Sequence, residues 1–267
     1  MDAVLAKAIK FIHYNPRREI DLLCILTQEQ ITLQYKRTWL GIIWSLLNPL
    51  LLACIFYIAF TIVLKVKSEE FSLFLLSGLF PWTWFNSSVS ASTVSLISNK
   101  SLIKKFPFPK PFLLISGILS EGVHFLFSLP IILLLGWYYG KSPDWTWLVG
   151  IPILLLTQFV ITLGVSLAVS VINVYFRDFQ FVVNFVLNLL FWLTPIIYQF
   201  ETIPEAYRPL FLYVNPLTSL IISWRELFLL NRIRWDLFLL ALLGSFVVLL
   251  LGLLIYQKFN KRVDELL

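Results

Sequence analysis

Residues 147–172 read WLVGIPILLLTQFVITLGVSLAVSVI, with no charged side chain from end to end. A helix needs about 20 predominantly apolar residues to cross roughly 30 Å of hydrocarbon, and this run is long enough. Strand-period alternation is absent, so a helix is expected rather than a barrel strand. Within the run Gln158, Thr162, Ser166 and Ser170 recur at steps of four. Such a small and polar ridge lets membrane helices approach closely.

Similar runs lie at about 39–64, 71–96, 111–138, 181–198 and 237–256, which predicts an all-α integral membrane protein with six transmembrane helices. Composition agrees. Only 13% of the 267 residues are charged and 59% are hydrophobic, where a soluble domain is about a quarter charged. With the N-terminus inside, the cytoplasmic segments hold six Lys and Arg before the first span, four at 97–110, Arg177, and three after residue 256. That is fourteen against seven outside, so both termini are expected in the cytoplasm. The net charge of +6 is thereby topological and calls for no nucleic acid. Trp39, Trp82, Trp84, Trp137, Trp145, Trp147 and Trp235 fall at predicted span ends, where amphipathic rings prefer to sit. Cys24 and Cys54 give neither a disulfide framework nor a metal spacing, and no cleaved signal peptide is expected.

Residues 1–38 are mixed. Ile20, Leu23, Leu26, Gln30 and Leu33 set against Glu19, Gln28, Glu29 and Gln34 predict an amphipathic helix along the membrane interface, separated by Pro16 from a shorter piece. The membrane domain is then expected over 39–267. At the junction, QYKRTWLGIIWSLLNPLL (34–51) sets Lys36 and Arg37 at the cytoplasmic end and Asn48-Pro49 at a kink, an elbow into the first span. The segment 195–236 is too apolar for a solvated loop, and Pro204, Pro209 and Pro216 cut it into short pieces. A re-entrant pair between spans five and six is expected. The rival, a seventh span at 210–230, would put Lys258, Lys261 and Arg262 outside.

Gly140-Lys141-Ser142 imitates the end of a phosphate loop, but position 135 is leucine and Trp137, Tyr138 and Tyr139 fill the space where backbone amides must reach phosphate. A nucleotide that energises this chain must bind another subunit. Glu121 and His124 share one face of the third span with Gly117 and Ser128. They are packing glue that satisfies each other or another span, or a proton-coupling or catalytic pair. The catalytic option lacks a nucleophile or a metal-ligand set.

On the fifth span Asn184, Asn188, Phe191, Pro195 and Tyr198 form a stripe with Trp192 beside it, and Ala53, Phe56, Tyr57 and Phe60 form a narrower one on the first. Such stripes pack helices, or they line a sugar route, since rings take C–H faces and amides take hydroxyls. In the 97–110 loop, Leu102, Ile103 and Phe106 stand among Lys100, Lys104 and Lys105, a lipid anchor or a docking knob stiffened by Pro107 and Pro109. Arg177 and Asp178 lie on the same side.

Five segments together resemble the membrane subunit of ABC-type exporters of cell-envelope polysaccharides, the O-antigen, capsule and teichoic-acid permeases. They are YKRTWLGIIWSLLNPL (35–50), SGLFPWTWF (77–85), VYFRDF (174–179), LTPIIY (193–198) and VNPLTSLIISWREL (214–227). The resemblance implies a homodimer in the bacterial inner membrane whose interface forms the channel, a lipid-linked polysaccharide as substrate, and two copies of a cytoplasmic ATP-binding subunit that carry ATP and Mg. It implies a coupling helix over Asn99, Ser101, Leu102, Ile103, Lys104, Lys105 and Phe106, assisted by Arg177 and Asp178. It also implies a glycan path along Phe56, Tyr57, Phe60, Asn184, Asn188, Phe191, Trp192 and Tyr198, and an outer gate with Pro195, Asn215, Pro216, Arg225 and Glu226. No cofactor, metal or catalytic residue is then expected in this chain. The alternatives are a membrane-embedded lipid- or sugar-modifying enzyme and a proton-coupled secondary transporter, each using Glu121 and His124. The inverted repeat common in the latter is not visible.

Overall fold

A computed structural model describes residues 16–35, 43–63, 70–105 and 109–267. Among these the regular structure is entirely helical. Helix α1 is Pro16–Tyr35, and α2 is Ile43–Tyr57, continuing as a π-helix over Ile58–Val63. Next come α3 (Phe71–Ser98), α4 (Lys100–Lys105), α5 (Pro111–Tyr138), α6 (Thr146–Tyr175) and α7 (Phe179–Leu193). The chain ends in α8 (Arg208–Val214), α9 (Pro216–Leu230), α10 (Trp235–Asn260) and α11 (Val263–Leu266). Among the described residues three helices, α5, α6 and α10, are long and apolar enough to cross a membrane, and α7 is a shorter apolar helix.

The small-residue ridge of α6 does what its spacing predicts: Gln158, Thr162, Ser166 and Ser170 are all fully buried. On α10, a Cβ at Gly252 would lie 2.0 Å from the Gly164 carbonyl oxygen, so the two backbones touch where only glycine fits. Helix α3 runs through the middle, packed on α5, α6 and α9. Ser77, Gly78, Ser88 and Ser92 keep its surface slim, which lets α3 be surrounded on most sides.

Five rings then tie four helices together. Trp84 (α3) stacks on Phe125 (α5) at 5.4 Å, Phe125 meets Trp224 (α9) at 5.1 Å, Trp224 stacks on Phe228 at 5.3 Å, and Phe228 meets Trp147 (α6) at 5.0 Å. Each such pair is worth about 0.5–1.5 kcal/mol beyond area burial. The indole N–H groups also find partners. Trp84 donates to the Ile118 carbonyl at 3.0 Å and Trp224 to Gln158 Oε1 at 3.3 Å, while Gln158 Nε2 donates to the Pro81 carbonyl at 3.1 Å. Trp82, Trp84 and Trp147 are therefore core residues and not members of an interfacial belt, whereas Trp137, Trp145 and Trp235 are exposed. Span-end position does not tell whether a ring points at lipid or at another helix. Trp39 lies outside the described residues.

Two proline positions shape the chain between α7 and α9. The residue before a proline avoids the helical region, and Thr194, at φ −94° and ψ 136°, ends α7 before Pro195. The fifth-span stripe is thus helical only as far as Leu193. Pro195 is buried, and Tyr198 turns back to donate its hydroxyl to the Trp192 carbonyl at 3.0 Å. Asn215, extended before Pro216, separates α8 from α9 and caps α9 by accepting from the Leu217 N–H at 3.1 Å. The stretch 210–230 is accordingly two helices.

Candidate functional site

The α7 helix buries only Val183 and Leu187. The same flank carries Phe191, whose ring stacks on Phe56 of α2 at 5.9 Å and meets Trp82 of α3 at 5.7 Å. Phe56 and Phe191, placed on one path by their stripes, do come together, and Trp82 is a third member that span-end reasoning assigned elsewhere. The rest of α7 is open: Phe181, Asn184, Phe185, Asn188 and Trp192 follow one another at helical spacing and all are exposed. Tyr57 at the end of α2 and Ile58 at the start of the π-helix are open as well. Ser90 Oγ of α3 reaches Asn184 Oδ1 at 3.5 Å, a long bond at the edge of this surface. Phe60 lies in the π-helix, and its side chain falls outside the described residues.

At the other end, α3 passes into α4 through one residue. Asn99 Nδ2 donates to the Ser95 carbonyl at 2.9 Å, and the Asn99 carbonyl accepts from the Leu102 and Ile103 N–H groups at 3.0 Å each. Asn99 is therefore a rigid joint. Leu102 and Ile103 turn back into the protein against Leu22 and Leu26 of α1 and Leu113 of α5, and Ile103 also reaches the cluster holding Leu96, Leu114, Val263 and Leu267. Ser101, Lys104 and Lys105 face outward, and Arg177 and Asp178 are exposed in the α6–α7 turn. Phe106 lies outside the described residues.

Among the described residues Glu121 and His124 meet neither a nucleophile nor each other. Gln34 of α1 bridges them, its Nε2 donating to Glu121 Oε1 at 3.2 Å and its Oε1 lying 3.1 Å from His124 Nε2. The pair thus anchors α1 to α5. Gln34 is 87 and 90 residues away along the chain, so helical spacing on the third span had no means of pointing to it. Between α1 and the bundle opens an apolar cavity of about 710 Å³, lined by Cys24, Trp84, Leu126 and Phe159 among others. Among the described residues no three His, Cys, Asp or Glu side chains gather as a metal ion would need.

At the end of α7, Arg225 of α9 is buried. Its guanidinium lies 3.6 Å from the Phe74 ring centroid and donates to the Ile196 carbonyl at 2.9 Å. A Cβ at Gly78 would come within 2.9 Å of it. Glu226 instead pairs with Arg232. Asn215 Nδ2 donates to Thr194 Oγ1 at 2.9 Å, so Asn215 and Arg225 together fasten the end of α7 and the turn after it onto α9, while Pro216 lies against Gly244 of α10.

Residues 21–229 match the ABC-2 type transporter family. The chain belongs to that family. Among curated ABC-2 relatives it is 39% identical to an O-antigen export system permease protein RfbA of Klebsiella pneumoniae over 95% of this chain and 98% of that one. It is 36% identical to the protein of the same name in Myxococcus xanthus, over 86% and 88%. The polysialic acid transport protein KpsM of Escherichia coli is 24% identical over 85% and 89%. The ABC-2 match includes most of α1, the α4 joint, the open face of α7 and nearly all of α9.

Proposed function

We propose that the chain is the transmembrane subunit of an ATP-driven exporter of a lipid-linked cell-envelope polysaccharide of the O-antigen kind. It works as a homodimer with two cytoplasmic ATP-binding subunits, in a bacterial inner membrane with both termini inside. The substrate class rests on what the relatives are named for. The observation that carries the homodimer is the open face of α7. An amide left without a hydrogen-bond partner in hydrocarbon costs roughly 2–7 kcal/mol, and on this charge-free helix Asn188 is exposed while Asn184, also exposed, has only the long bond from Ser90 at 3.5 Å. A second copy facing this surface would give the amides a wet, sugar-compatible seam lined by Phe185 and Trp192, with Phe56, Trp82 and Phe191 behind.

Six spans fit this reading: α2 with its π-helical extension, α3, α5, α6, α7 and α10. Helices α8 and α9 form the re-entrant pair of the outer gate. Supporting this, Asn231 at the end of α9 bonds Ser142 and Trp147 of the outer α5–α6 turn, at 2.8 Å each. At the start of α9, Pro216 lies against Gly244, nine residues into α10. Closure of the ATP-binding subunits would push α4, and α3, jointed to it at Asn99, would carry that displacement to Trp82 and Phe191. Such a transmission needs two arrangements of the seam with different affinity for nucleotide-bound partners.

Expression in cells lacking the chain tests the reading. Export of the surface glycan should return with the wild-type chain and stop when the partner's ATPase is inactivated. Export that persists without ATP hydrolysis would overturn it.

A further inference from the structure

Resting on the exporter reading, we infer that the surface of α4 offered to the ATP-binding subunit is a lysine face, and that the partner supplies an acidic cleft. Lys100, Ser101, Lys104 and Lys105 are exposed, while Leu102 and Ile103 are half-buried. At 100° per residue the four polar positions fall within about 140° of arc and the two apolar ones lie opposite. The apolar pair is already occupied. It packs on Leu22, Leu26 and Leu113, with Ile103 extending to the cluster around Leu96 and Val263.

This arrangement separates two partners that lysines near a membrane could serve. A helix resting on lipid buries its apolar side in the bilayer and lets its lysines reach sideways to headgroups. Here the apolar side is spent on the protein's own bundle end, so the lysines project away from the bundle. They form no ion pair among the described residues. Three uncompensated ammonium groups on little more than one and a half turns repel one another, and a carboxylate-lined cleft would relieve that. Complementary charge of this kind raises association rate and fixes register. It is also screened by salt within about 10 Å at 0.1 M.

The test uses the full chain in nanodiscs and its co-purifying ATP-binding subunit. Replacing Lys100, Lys104 and Lys105 by Glu should weaken association at least tenfold, and raising salt should weaken the wild type in the same direction. Arginine at all three positions should preserve association. A Lys→Gln triple variant, which removes charge without reversing it, should fall between, and reversing carboxylates in the partner's cleft should rescue the Glu variant. Unchanged association in the Glu variant would overturn the lysine face while leaving the exporter reading intact. So would a loss that appears only with anionic lipid in the disc, which would assign the lysines to headgroups. A wild-type chain that binds no ATP-binding subunit would overturn both.

Discussion

Helices α7 and α9 have the same length, 15 residues, and both are apolar, yet α9 buries eleven of its residues and α7 two. The difference lies in what their polar residues do. On α9, Ser219, Ser223, Trp224 and Arg225 all find acceptors inside the subunit. On α7, Asn184 and Asn188 face outward, between aromatic rings. A helix most of whose polar side chains find partners at home, with only Thr218 Oγ1 and Arg225 Nε left without one, is scaffold. One whose polar groups are left open in a hydrophobic chain is an unfinished surface, completed in our proposal by a second copy and by substrate.

Substitutions should separate the two helices. Trp224→Ala removes the centre of the ring ladder and leaves Gln158 Oε1 unpaired, so a loss of about 3–5 kcal/mol is expected, read as a large drop in melting temperature in detergent and loss of membrane-inserted protein. Gln34→Leu should cost about 1–3 kcal/mol, because Glu121 and His124 lose the amide that joins them to α1. Protease sensitivity of α1 should rise, while Gln34→Asn should not restore the bridge. On α7, Phe185 and Asn188 are exposed on the single subunit and in the proposed dimer line a wet seam, so Phe185→Ala and Asn188→Ala should change the subunit's own thermal stability by less than about 0.5 kcal/mol. Glycan export should nevertheless fall several-fold. If Asn188→Ala destabilised the chain as Trp224→Ala does, α7 would be scaffold too.

The sequence pattern was informative where one helix decides the outcome. The third span was expected at 111–138, and α5 is Pro111–Tyr138. The α6 ridge was legible because small residues at steps of four have one use in a membrane helix. What spacing along one helix leaves open is which other helix a face meets. Leu102 and Ile103 read as a lipid anchor or a docking knob, and their spacing gives no sign that they also pack on α1, about 80 residues upstream. Trp84 and Trp147 looked like belt residues until Phe125, Trp224 and Phe228 met them. The break at Thr194 follows from a local rule about proline, but the apolar residues on either side hid it.

Cysteine cross-linking in native membranes tests the seam most directly. With Cys24 and Cys54, both exposed, replaced by Ser, Asn188→Cys should give a covalent dimer with a short bifunctional reagent. Leu250→Cys on α10, exposed on a helix of the opposite kind with no polar side chain beside it, should give none. Dimers from Leu250→Cys and none from Asn188→Cys would contradict a path between two copies at α7.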